Sequence, residues 1–276
     1  MLFYPNVKIN LGLRITGKRP DGYHNLESIF IPVKGLTDIL EIVPSEKDNF
    51  QVSGLIIDGP FESNLVFKAL QLLRAEKEIG GCHIHLHKLL PMGAGLGGGS
   101  ADGAFALKAL NQVFNLGYTV SELQEKAALL GSDCPFFITN SSARVSGRGE
   151  VIEPINRLVF PENLWITIVH PGIHISTKEA FAGLNLATQF PVEYPLPVEL
   201  GTDWQAWQHF YQNHFQEGAV NNHHVLRNLV TELQDLNPNG FTAMTGSGSA
   251  CYQISETPID LHSLKTKYTF VWQGKL

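Results

Sequence analysis

The chain has 276 residues, and its 20 Lys+Arg against 26 Asp+Glu give a formal charge of -6. That balance argues against nucleic acid or an anionic membrane surface as the main partner. At about 100–200 residues per domain the length favours two lobes or one large domain. The low charged content of 17%, with 26 Gly and 15 Pro, predicts a compact protein with many shaped turns. Cys82, Cys134 and Cys251 stand far apart with no C-x-x-C spacing, so neither a disulfide framework nor a thiol zinc site is indicated, and the expected compartment is the reducing cytosol. Asn6 and Lys8 interrupt what would have to be an apolar signal core, and no run of 18 apolar residues occurs, so neither secretion nor membrane spanning is expected.

In chain order, alternating runs predict strands at Val7–Ile15, Leu26–Val33 and Asp38–Val43, with a polar turn over Gly17–Gly22. Asn64 reads as the N-cap of a helix carrying Leu65, Phe67, Ala69, Leu70, Leu72 and Leu73, and Cys82–His87 alternates as one more strand. Ala101–Phe114 has helical spacing with a buried stripe, and Ser121–Leu130 reads as a second helix, with Gln124 completing a capping box and Gly131 as its stop. Prolines over Pro154–Glu162 suggest a lobe boundary, and Trp165–His170 reads as a buried strand. The proline-rich stretch Phe190–Leu200 is expected to be a loop. Helical patterns follow at Asp203–Phe215, Asn222–Leu236 and Pro258–Lys267, interleaved with strands at Gly240–Met244, Ala250–Ile254 and Tyr268–Trp272. This second half has the pattern of a split βαβ sandwich.

The segment Pro91-Met92-Gly93-Ala94-Gly95-Leu96-Gly97-Gly98-Gly99-Ser100-Ala101 lies between a strand and a strong helix, so its N–H groups can converge on an anion at the helix N-terminus. Phosphate is the natural guest. Gly93, Gly95 and Gly98 fit G-x-G-x-x-G, but a dinucleotide fold needs a strand and an acidic residue about 20 residues on, and here one helix follows another. A Walker A reading fails because Gly99-Ser100 lacks the Gly-Lys-Ser order. Three histidines, His83, His85 and His87, share one strand face, but at roughly 3.3 Å per residue a straight row spans too far for all three to close on one ion.

Three separated stretches resist explanation by core packing: Lys8-Ile9-Asn10-Leu11 with Arg19-Pro20-Asp21-Gly22-Tyr23-His24, then Pro91–Asp102, then Thr245-Gly246-Ser247-Gly248-Ser249-Ala250. Together they resemble the GHMP kinase superfamily, with order and spacing kept from about Val7 to Ile254. The Tyr23-His24 pair and Gly131-Ser132-Asp133-Cys134-Pro135 narrow the resemblance to the branch acting on a cytidine diphosphate-linked methylerythritol in isoprenoid precursor synthesis. The resemblance implies an α+β fold of two lobes. An N-terminal lobe like ribosomal protein S5 is expected over 1–155, and a ferredoxin-like split βαβ lobe over 156–276, with a cleft between them. ATP and Mg²⁺ are the implied cofactors and Pro91–Ala101 the implied ATP-binding loop.

Residue by residue, Lys8 and Asp133 match the family's catalytic pair. Asn10, Tyr23, His24, Thr177, Gly246 and Ser247 match substrate-binding positions, and Phe181 stands where the family stacks an aromatic ring on cytosine. Where the family often has a second serine this chain has Ala101. Where it commonly has Asn-Asp-Phe-Glu the chain reads Asn221-Asn222-His223-His224, which receives no catalytic role. The implied partner is a small molecule, with neither nucleic acid nor membrane. No side-chain metal set is assigned, and the sequence does not fix the oligomeric state.

Phosphoryl transfer leaves the protein chiefly to position groups and neutralise charge, with a carboxylate taking the hydroxyl proton. Asp133 suits that task, and a neighbouring Lys8 would keep it ionised and meet the phosphate as a point charge. Against this, Asp133 before Cys134-Pro135 could simply cap a helix, and Lys8 could be an ordinary solvated lysine. Rival functions are a sister kinase acting on homoserine, a sugar or mevalonate, a nicotinamide-dependent oxidoreductase, and a non-catalytic nucleotide-binding module. The last would leave Lys8 and Asp133 far apart in space.

Overall fold

A computed structural model describes residues 1–57, 59–156, 161, 163–184, 195–199, 201 and 203–276. The chain opens with strands β1 (Leu2–Phe3), β2 (Asn6–Lys18), β3 (His24–Thr37), β4 (Ile39–Pro44) and β5 (Asn49–Gly54). Helix α1 (Leu65–Arg74) and strand β6 (Cys82–Lys88) precede three helices, α2 (Gly98–Val113), α3 (Val120–Leu130) and α4 (Cys134–Thr139). Then come β7 (Ala143–Ser146), β8 (Val151–Pro154), β9 (Trp165–His170), α5 (Thr177–Ala182), α6 (Trp204–Phe210), α7 (His214–Asn222) and α8 (His224–Leu236). The chain closes with β10 (Gly240–Met244), β11 (Cys251–Ser255), α9 (His262–Lys267) and β12 (Phe270–Lys275).

These elements form two compact units made from interleaved segments. The first comprises Met1–Lys8, Leu36–Met92 and Gly97–Ser141, the second Ile9–Gly35, Gly93–Leu96 and Ser142–Leu276. Strands β2 and β3 and the glycine segment each pass from one unit to the other. Of the expected boundary and loop stretches, residues 157–160, 162, 190–194 and 200 lie outside the described residues.

In the first unit the sheet order is β1-β4-β6-β5, with β5 parallel to β6 and the other pairs antiparallel. Helix α2 packs on α1, α3, α4 and β4. In β6 the alternation buries Cys82, Ile84, Leu86 and Lys88, while the three histidines stand on the other face. There they are held by β5: Ser53 Oγ lies 2.7 Å from His85 Nε2 and 2.8 Å from His87 Nδ1, and Asn49 Nδ2 lies 3.0 Å from His83 Nδ1.

The second unit holds two four-stranded sheets, β2-β3-β7-β8 and β10-β11-β9-β12. Counting β9, β10, β11 and β12 as strands one to four, the latter has the order 4-1-3-2 with every neighbour antiparallel. This is the arrangement of a split βαβ unit. Its apolar core gathers Val169, Phe215, Leu226, Leu229, Leu233 and Leu264.

Two boundaries differ from the sequence pattern for identifiable reasons. The capping box is Thr119/Glu122, not Ser121/Gln124: Thr119 Oγ1 accepts from Glu122 N and Glu122 Oε2 from Thr119 N, and a carboxylate suits a helix N-terminus better than an amide. The helix expected over Asp203–Phe215 is broken at 211–213. Asn213 accepts from Phe215 N to start α7 and donates to Met244 O and Gly246 O, which fixes its side chain outside any continuous helix. Among the described residues no helix is long and apolar enough to cross a membrane.

Candidate active site

In the first unit the site begins with Lys8 on β2, 3% exposed among Val7 and Ile9, which are wholly buried. Its Nζ lies 3.6 Å from Asp133 Oδ2, whose side chain is 30% exposed. Burial pushes the Lys8 ammonium below its ordinary pKa, with the Asp133 carboxylate pulling the other way. Asp133 occupies the N-cap position of α4 but makes no side-chain capping bond. The capping interpretation therefore fails, and the carboxylate faces the lysine instead.

Beside this pair, α2 starts at Gly97, which sits at φ 74 and offers no side-chain cap. The first N–H groups of the helix thus have neither intrahelical nor side-chain acceptors. A Cβ on Gly97 would lie 3.1 Å from the Phe137 ring and 3.3 Å from Lys8 Cε, so glycine lets the helix start approach the lysine. Gly99 is exposed, with nothing within 4 Å of where its Cβ would be. A phosphate fits such an uncapped start of a 16-residue helix. Ser100 is half-buried and hydrogen-bonded to the Cys134 thiol, which burial pushes up to about 11. Ala101 is 0% exposed, so a second hydroxyl there would face the core, and its replacement by a methyl removes nothing from the exposed helix start.

The middle of the glycine segment belongs to the second unit. A Cβ on Gly95 would come 2.2 Å from Thr245 O and one on Gly93 2.5 Å from His174 Nδ1, while Ala250 N donates to Ala94 O. Ala94 and Leu96 are buried at 2% and 1%, so these members of the predicted ATP loop are packing groups. Pro91 is half-buried, Met92 is exposed and Gly98 is buried against Leu90.

Of the residues matched to substrate positions, Asn10 is 2% exposed and tied to Thr245 through both backbone and side chain, with its Nδ2 donating to Ser28 Oγ. Gly246 is buried against Gly95, Ser247 is half-buried, and Thr177 is exposed in the first turn of α5. His24 and Phe181 stack on each other with ring centroids 5.0 Å apart, and Phe215 meets Phe181 edge-on at 4.9 Å. Tyr23 does not join them. Its side chain is 59% exposed and the Arg148 guanidinium lies 5.1 Å from its ring. In the Asn221–His224 stretch, His223 Nε2 lies 3.0 Å from Glu179 Oε1.

Sequence reasoning missed two features of the first unit. One is a cavity of about 330 Å³ lined by Val52, Leu55, Ile57, Pro60, Phe61 and Asn64, whose wall is pinned near the glycine segment by Leu55 N donating to Lys88 O. Its sequence signal is the apolar Leu55-Ile56-Ile57 between strand and helix, with Ile56 84% exposed. The other is a buried cluster of Asp38, Lys88 and Asp102. Among the described residues no group of three or more His, Cys, Asp or Glu side chains could hold a metal ion.

Residues 64–141 match the GHMP kinases N terminal domain family. The 4-diphosphocytidyl-2-C-methyl-D-erythritol kinase of Parabacteroides distasonis is 38% identical over 277 residues, covering 100% of each chain. The same-named protein of Bacteroides thetaiotaomicron is 41% identical over 260 residues, 93% of this chain and 92% of that one. A crystal structure of 4-(cytidine 5'-diphospho)-2C-methyl-D-erythritol kinase superposes with a TM-score of 0.82 at 30% identity, over 100% of this chain and 98% of that one. Homoserine kinase from Cytophaga hutchinsonii, at TM-score 0.64 and 17% identity over 98% and 94% of the two chains, shares the fold. By these identities over its whole length, the chain belongs to the 4-diphosphocytidyl-2-C-methyl-D-erythritol kinase family of the GHMP kinases.

Proposed function

We propose that the chain transfers the γ-phosphoryl group of ATP to the tertiary hydroxyl of 4-diphosphocytidyl-2-C-methyl-D-erythritol, giving ADP and the phosphomonoester. The observation that carries the reading is the buried Lys8 with Asp133 at 3.6 Å, beside an uncapped helix start. A non-catalytic nucleotide module gives no reason for that pair to meet. The names of relatives matching the full length support the choice of substrate.

Asp133 takes the hydroxyl proton as the oxygen attacks phosphorus and the bond to ADP breaks. Lys8 supplies positive charge where burial makes it count. The N–H groups at the start of α2 hold phosphate oxygens. Asp133 is the carboxylate of this chain that would hold a Mg²⁺ ion together with the nucleotide's phosphates, and the ion would supply neutralisation of phosphate charge. The apolar cavity before α1 suits the adenine base, and His24 with Phe181 suits the cytosine. The buried, free cysteines accord with a cytoplasmic location.

The test is ATP consumption with Mg²⁺ in the presence of candidate alcohols. Turnover is expected with the cytidyl methylerythritol substrate and not with homoserine or mevalonate. Equal or faster turnover of either would move the chain's activity to a sister kinase.

A further inference from the structure

Lys88 ends β6 and is 2% exposed; Asp38, between β3 and β4, is 0% exposed, and Asp102, in the second turn of α2, is 3% exposed. Lys88 Nζ lies 2.5 Å from Asp38 Oδ2 and 2.7 Å from Asp102 Oδ2. Asp38 Oδ1 in turn accepts from Leu89 N at 2.6 Å and Leu90 N at 2.9 Å. The cluster therefore ties the strand end that leads into the glycine segment to the helix that leaves it. A Cβ on Gly98 would be 3.9 Å from the Lys88 ammonium, which puts the cluster directly beneath the helix start.

Two carboxylates share one ammonium here, and Asp102 Oδ1 is buried without a hydrogen-bond partner. An ionised carboxylate oxygen with no donor in a dry site is costly, so a proton on Asp102, donated toward Asp38, resolves both facts. Burial pushes the Asp102 carboxyl up to about 8, against the pull of Lys88 and with Asp38 adding to the rise. Lys88 and Asp38 are the charges that act on Asp102. Lys8, paired with Asp133, stands at the N-cap Gly97 of α2, Lys126 of α3 is bonded to Glu76, and α4 contributes the Cys134 thiol at Ser100.

Resting on the kinase reading above, we propose that Asp38, Lys88 and Asp102 are positioning residues for the phosphate-binding helix start. They form a buried clamp that fixes Leu89–Leu90 against the first turns of α2 and leaves no net charge beneath the bound phosphates. Loss of the Asp102 proton would place one negative charge under the anion and weaken nucleotide binding by about tenfold, the scale of a unit charge acting over one or two helical turns inside a protein.

The experiment is calorimetric titration of ADP and of a non-hydrolysable ATP analogue with Mg²⁺ at pH 7 and pH 9, for the parent chain, Asp102→Asn, and the double variant Lys88→Met/Asp102→Leu. Burial lowers the pKa of the Lys8 ammonium in all three chains alike, so the difference between variants carries the result. The parent is expected to bind about tenfold more weakly at pH 9 and Asp102→Asn to lose most of that dependence. The double variant leaves the Asp38 carboxylate buried without its ammonium partner, so its melting temperature should fall by several degrees. It should bind nucleotide at least about tenfold more weakly at both pH values, with CDP affinity changed far less. An Asp102→Asn chain with the parent's pH dependence, or a folded double variant with the parent's nucleotide affinity, overturns the proposal. Should the double variant not fold, Asp102→Asn decides. A parent that binds nucleotide but phosphorylates no cytidyl substrate overturns the kinase reading alone.

Discussion

Replacing Asp133 by Asn keeps the shape of the side chain and removes its charge from the Lys8 ammonium 3.6 Å away. At that distance two unit charges attract by about 4–5 kcal/mol at an effective dielectric of about 20, and by about 1 kcal/mol in bulk water. Asp133 is 30% exposed, so solvent screens the pair, and the net loss in stability is discounted to about 1–3 kcal/mol. For a chain of this size that lowers the melting temperature by a few degrees at pH 7. The drop should shrink at alkaline pH, where the parent lysine, its pKa lowered by burial, is itself neutral. On activity the change acts twice, because the hydroxyl loses its proton acceptor and Lys8 loses the partner that keeps it charged. A fall in kcat of about 10²–10⁴ is expected, with ATP-analogue affinity changed by a few-fold at most. Lys8→Met should fall comparably, and the double change should cost less than the sum. A coupled ADP-release assay with calorimetry and melting curves measures all of these. Asp133→Asn with kcat within about threefold of the parent, or strictly additive losses, would refute the assignment of proton acceptor.

Two further predictions concern the second unit. Phe181→Ala removes ring contacts to His24 and Phe215, each worth about 0.5–1.5 kcal/mol beyond area burial, so it should lower both melting temperature and CDP affinity; Tyr23→Ala, exposed beneath Arg148, should leave melting unchanged and weaken CDP alone. Parent-like CDP binding by Tyr23→Ala would remove Tyr23 from the substrate site. His214 is depressed from 6.5 to about 4 by burial, with Arg14 contributing, while Ile15 N lies 3.1 Å from its Nδ1. The unfolded chain therefore takes up the proton first, and stability present above pH 6.5 is lost as pH falls toward 4, by about 1–2 kcal/mol after allowing for partial exposure. His214→Asn should flatten that acid limb in pH-dependent melting, and an unchanged limb would assign the loss to other groups.

What the sequence reveals divides by range. The Asn64 cap of α1 and the apolar stripe of α2 are local, and both stand where their residues put them, with Asn64 accepting from Val66 N. The meeting of Lys8 with Asp133 has no local signal at all. A lysine among Val7, Ile9 and Leu11 reads as a strand-edge lysine, and only the family resemblance joined it to a carboxylate far along the chain. The glycine segment was legible as an anion cradle but not in its division of labour. Gly93 and Gly95 answer to close approach by His174 and Thr245, whereas the helix start beyond Gly97 is what is left for a phosphate. The resemblance implies that Phe181 stacks on cytosine, and in the structure His24 takes its face.

The buried clamp shows a signal that was available and unused. In Cys82-His83-Ile84-His85-Leu86-His87-Lys88 the alternation that buries 82, 84 and 86 also commits Lys88 to the core. A lysine cannot remain charged there without carboxylates, so the period of the strand alone demands buried acidic partners. The helix supplies the matching clue: Asp102 stands one turn before Ala106, on the stripe that continues through Ala109 and Leu110, and all of these are buried. An acid on one apolar face and a base on another can satisfy each other only if strand end and helix start touch. For a chain that must hold the two ends of its glycine segment at a fixed span, that contact is where a buried charge pair joins them, and the second acid, Asp38, then brings in the backbone of Leu89 and Leu90 as well.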